Sequence, residues 1–169
     1  MTLPQAYWVL GYVYLFQQRY EEAASAARHS ISLNPNYADG YLILAICRIH
    51  SGRPELALSL VHRAMQLNPE YPAAYASILG QAYFFNDQAG QAIPFLREAI
   101  DRNTNLLTAH VFLIATLSRL NRLEEAAWAA EQLKNVRADF TLEQLDGMLP
   151  TGDQDTIARI EGLLRQAGL

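Results

Sequence analysis

The chain has 169 residues, 51% of them apolar, a net charge of −4 and one cysteine. It is long enough to bury a core, shows none of the basic clustering expected of a nucleic-acid binder, and can form neither an internal disulfide nor a four-thiolate zinc site. No apolar run of about eighteen residues exists, so no membrane span is predicted, and the single thiol suits a reducing, cytoplasmic setting.

The first predicted helix covers residues 4–17. Its segment YWVLGYVY puts Leu10, Gly11 and Tyr14 on helical spacing, and it is apolar on every side, which predicts burial all round. A turn at QQRY leads to a second helix at 20–33. Glu21 and Glu22 open that helix, where its dipole favours negative charge, and Ala23 and Ala27 share one face. The third helix, 38–51, holds Cys47 among Leu44, Ile46 and Ile49, so this thiol reads as a small buried hydrophobe. Gly52 can turn left-handed after it, and Pro54 fits the first turn of the fourth helix, 54–67. Helices at 72–85 and 88–102 follow. Pro94 inside the latter predicts a kink or a late start, because proline lacks the N–H that the ladder needs. Helices at 106–119 and 123–136 complete the series.

This series repeats. LNPNYADGY at 33–41 returns as LNPEYPAAY at 67–75. Ala23 recurs as Ala57, Ala92 and Ala126, and Gly11 as Ala45, Gly80 and Ile114, both in steps of 34, 35 and 34. Pro35 recurs as Pro69, then gives way to Thr104 and Ala138 in the same phase. Each unit is therefore a helical hairpin, and columns held in phase across one shared insertion mark a stacked array. The pattern resembles the tetratricopeptide repeat, carried by Tyr7, Leu10, Gly11, Tyr14, Ala23, Ala27 and Pro35 in the first unit and weakening towards the fourth. The resemblance implies an all-α, right-handed solenoid of four hairpins, at about 4–37, 38–72, 73–106 and 107–138, with residues 139–169 as C-terminal capping helices.

The tail leaves the period. TLEQ at 141–144 has the form of a capping box, and Leu142, Leu145, Met148 and Leu149 give one apolar face before Pro150 stops the helix. Ile157, Ile160, Leu163, Leu164 and Ala167 set out an amphipathic helix beginning near Asp155. A solenoid needs such an end cover. The tail is similar to segments that follow repeats in bacterial nucleotide cyclases and winged-helix signalling regulators. That likeness implies an alternative role as a regulatory or dimerising segment of a larger signalling protein.

No motif for catalysis or phosphate binding occurs, so an enzyme and a cofactor are not expected. The four histidines, His29, His50, His62 and His110, match no metal-ligand spacing and read as surface residues. In tetratricopeptide arrays the first helix of each unit lines a concave groove. The resemblance places Trp8, Tyr12, Leu15 and Phe16 there from the first unit, and Leu42, Ile46 and Ile49 from the second. Gln81, Phe84, Phe85 and Arg119 follow from the third and fourth. The basic clamp by which some members hold acidic peptides is absent, since Trp8, Tyr12, Ile43, Ala74 and Ile78 stand at its positions. The expected partner is a protein or peptide, or a second copy of the chain, and neither nucleic acid nor membrane.

Overall fold

The computed structural model describes residues 3–169. Eight helices form four antiparallel pairs: α1 (Pro4–Phe16) with α2 (Tyr20–Leu33), α3 (Ala38–His50) with α4 (Glu55–Leu67), α5 (Ala73–Phe85) with α6 (Ala89–Arg102), and α7 (Leu107–Arg119) with α8 (Leu123–Val136). The second helix of each pair also packs on the first helix of the next, and α1, α3, α5 and α7 touch in succession. The chain is thus an all-α solenoid, and no strand occurs among the described residues. Pro94 sits inside α6, which begins at Ala89, so the proline does not delay the helix.

Two small-residue columns explain how each pair closes. Ala23, Ala57, Ala92 and Ala126 are all fully buried. The other column lies against them: a Cβ built on Gly11 would sit 3.3 Å from the Ala23 carbonyl oxygen, and one on Gly80 would sit 3.4 Å from that of Ala92. At Gly80 the fit is tighter still, because the same Cβ would meet Leu96 Cγ at 2.5 Å. Leu96 is itself fully buried. Gly80→Ala should therefore destabilise the fold by about 1–3 kcal/mol despite the better helix propensity of alanine. Urea unfolding measures this, and an unchanged midpoint would place the column outside the packed interior.

The turns share a second regularity. Gln18, Gly52, Asp87 and Asn121 all have positive φ, between 56° and 75°, and stand one per hairpin at the repeat spacing. The following N–H reaches back to the carbonyl five residues earlier in every case, as Arg19 does to Tyr14, Arg53 to Arg48, Gln88 to Tyr83 and Arg122 to Leu117, each at 2.9 Å. This left-handed helix stop satisfies carbonyls that would otherwise be left without partners. Only one of the four positions carries the glycine that makes it readable.

Two expectations are corrected at the ends. α1 is not buried all round. Only Gly11 and Leu15 are buried in it, and Val9, Leu10 and Val13 are exposed. Their counterparts one repeat on, Ile43, Leu44 and Cys47, are buried against the first hairpin. Among the described residues α1 has no such neighbour on that side. In the tail, Thr141 makes no capping bond. Instead Leu142–Gln144 form one turn of 3-10 helix that runs into the short α9 (Leu145–Met148). The last helix, α10 (Gln154–Gln166), has the better cap: the Asp153 carboxylate accepts from the Asp155 N–H and from the Thr156 hydroxyl. α10 buries Ile157, Ile160 and Leu164 and packs chiefly on α7, not on α8 as a fifth repeat would. As a result Ala109–Ser118 of α7 are buried without interruption.

Candidate functional site

The inner face of the array divides into two halves. Towards α7 it is filled. Phe84, Phe85 and Phe112 pack edge to face with centroids 5.3–5.7 Å apart, in the core region that also receives Leu145, Leu149 and Ile160 from the tail. Towards α1 it stays open as a groove of about 440 Å³, lined by Trp8, Tyr12, Leu15 and Phe16 of α1, Leu42 and Ile46 of α3, and Ile78 and Gln81 of α5. Seven of the eleven residues expected in the groove therefore line it.

The other four do not, for two reasons. Ile49 and Phe84 are almost fully buried and belong to the packing between hairpins. Phe85 is covered by the edge of the His50 ring, at 5.8 Å, and by its phenylalanine neighbours. Arg119 is a strut: its guanidinium donates to the Phe84 carbonyl at 2.8 Å, pairs with Asp87 and lies over the Phe84 ring.

Aromatic rings dominate the open half. Trp8, Tyr12 and Phe16 run in file along α1 with centroids 6.0 and 5.0 Å apart. The polar groups of the groove are largely paired with one another. The Tyr75 hydroxyl donates to Asp39 at 2.6 Å, and the Gln81 amide donates to Ser77 at 3.2 Å. Burial and the Asp39 carboxylate both hold the Tyr75 hydroxyl above its ordinary pKa, so it stays a proton donor. Such a lining offers apolar surface without any lysine or arginine to attract a carboxylate.

Sequence reasoning missed the groove's far wall. Met148, Leu149 and Pro150 reach it from the tail. The irregular stretch from Leu149 to Asp153 is tied to the first hairpin: the Tyr20 hydroxyl donates to the Pro150 carbonyl at 3.0 Å and accepts from the Gly152 N–H at 3.3 Å. Behind Tyr20, its ring stacks on His50 at 6.4 Å. The His50 Nε2 is buried without a hydrogen-bond partner, and burial lowers the imidazole pKa to about 4. A Pro-x-Gly run between two amphipathic stretches signals an extended strap, but where it lands is set by contacts 130 residues apart.

The histidines correct a second expectation. His29 and His62 are on the surface, but His110 is buried with Nε2 2.9 Å from the Thr104 carbonyl, which fixes the proton on that nitrogen. Cys47 is buried as expected, and burial pushes its thiol up to about 12. Among the described residues no group of three or more His, Cys, Asp or Glu side chains is arranged to hold a metal, and no helix is long and apolar enough to cross a membrane.

Paired helices, phased alanine columns and an inner groove define a helical-repeat interaction protein. Tetratricopeptide repeat models match residues 14–82 and 74–106, together more than half of the chain. The chain belongs to the tetratricopeptide repeat family, whose members are protein–protein interaction scaffolds. It is similar in fold to TTC0263, a thermophilic member from Thermus thermophilus (TM-score 0.72, 20% identity, covering 96% of this chain and 81% of that one). It is also similar to MamA (0.68, 21%, 97% and 89%) and to YrrB, described as a tetratricopeptide protein with an unusual peptide-binding site (0.64, 15%, 95% and 82%). No curated protein sequence matches the chain.

Proposed function

We propose that the chain is a non-catalytic scaffold that takes an extended, apolar segment of a partner protein into the open half of the groove. The carrying observation is the lining: an aromatic file on α1 facing Leu42, Ile46 and Ile78 around about 440 Å³. Each leucine-sized or aromatic side chain seated there would gain roughly 1.5–3 kcal/mol of burial. Two or three such anchors contribute roughly 3–9 kcal/mol before ordering costs are subtracted, which supports a weak, transient complex. The peptide-binding site named for YrrB supports the reading only as a case of the same architecture holding a peptide.

Panning a random displayed-peptide library tests the proposal. The protein should enrich apolar and aromatic peptides, and Trp8→Glu should abolish the enrichment while leaving the helical circular dichroism unchanged. Enrichment of acidic peptides, or a Trp8→Glu variant that retains the same peptides, would place recognition elsewhere. A second proposal rests on the exposed side of α1. Val9 and Val13 occupy columns that are buried in every later repeat, so this face is shaped to be covered, and self-association through it is the simplest cover.

A further inference from the structure

We infer that the strap from Leu149 to Gly152 is a built-in competitor for the groove, and that the partner it mimics is an uncharged extended segment with a leucine–proline pair. The inference rests on the groove proposed above. Its basis is what the strap does as a piece of chain. Leu149 itself has extended backbone, φ −93° and ψ 131°, and the chain bends at Leu149 and Pro150 before running on to Asp153 without regular structure. It enters the inner face of the array side chain first: Leu149 and Thr151 are 3% exposed, and Pro150 lines the groove. It is held by its backbone, since one phenolic hydroxyl both donates to the Pro150 carbonyl and accepts from the Gly152 N–H. Backbone bonds to an extended segment with alternate side chains in pockets are how folded domains take a peptide.

The strap also carries no charge between Leu149 and Gly152, which suits a lining without a basic clamp. At Gly152 the exposed end of the Gln18 side chain lies against the strap, so the turn of the first hairpin touches it as well as Tyr20. The first hairpin holds the strap's backbone through Tyr20, whereas the Leu149 side chain is seated in the core shared by α7 and the tail. Being tethered, the strap competes at a high effective concentration, so a partner segment must outbid it or wait for its release.

The test uses a fluorescent peptide with the sequence of residues 147–153 and the full chain as wild type and Tyr20→Phe. Removing the hydroxyl deletes both clasping bonds but keeps the ring on His50. Amide exchange at 149–152 should rise in the variant, and the peptide should bind it about tenfold more tightly than wild type. Gly152→Pro, which removes the N–H that donates to Tyr20, is an independent way to weaken the same clasp. Trp8→Glu should remove binding in either background. Unchanged exchange in both release variants overturns the inference, and so does raised exchange with equal or weaker binding, which would make the strap a fixed wall. Raised exchange with no peptide bound by any form would defeat the groove itself, and the competitor with it.

Discussion

Replacing Phe112 by alanine is expected to lower the free energy of unfolding by about 3–5 kcal/mol. Phe112 is fully buried on α7, and its ring lies 5.4 Å from that of Phe84 and 5.7 Å from that of Phe85. Leu145, Leu149 and Ile160 of the tail share the same core region. Removing the ring leaves a hole bounded by three separate parts of the chain, and helices fixed by neighbouring hairpins cannot close it readily. Aromatic contact geometry adds to the lost burial. Urea titration followed by circular dichroism gives the value. A loss below about 1 kcal/mol would mean that this region collapses to fill the space, contrary to the close packing described.

Ile160→Ala should lower stability by about 2–5 kcal/mol, because Ile160 is fully buried on the face that α10 turns to α7. A linker helix would give a much smaller effect. The result separates ordinary end-capping from something more. If α10 serves only as a cover, exchange should rise in α7 and α10 and stop there. If it also seats the strap, exchange should rise as well at the Gly152 amide, which bonds to Tyr20 in the first hairpin. Unaltered melting and exchange in the variant would remove the tail from the folded unit.

The helices were readable because the repeat states each signal several times. Alanine columns, the Asn-Pro loops and the apolar spacing place both ends of all eight helices within about one residue of their positions, and the alanine column is fully buried as that register requires. The groove was only half readable. Trp8, Tyr12 and Leu42 were found because the repeat's own geometry sends those positions inward. Phe84, Phe85 and Arg119 occupy equivalent positions, yet Phe84 packs on Phe112, Phe85 lies under His50 and its phenylalanine neighbours, and Arg119 is bound back to the Phe84 carbonyl. Nothing local in these residues tells whether a neighbour is water or another side chain. The left-handed turns were legible at Gly52 alone, because Gln18, Asp87 and Asn121 adopt positive φ without the residue that advertises it. The strap escaped notice for the same reason: Tyr20 and Pro150 are ordinary residues until the fold brings them to 3.0 Å.

That single contact changes the kind of object the array is. A row of hairpins has two free ends, and each unit holds only its neighbours, so such a row melts inward from whichever end is weaker. Here a bond across 130 residues joins the first turn to the tail. The row becomes a loop in the sense of its connections, and neither end can loosen without straining the other. Long-range closure of this sort slows folding, because the ends must meet before the contact rewards them. It also makes melting more nearly all-or-none than repeat number alone would give. A ligand that displaced the strap would return the chain to a row with two ends, so binding at the first hairpin would be felt as fraying in the tail.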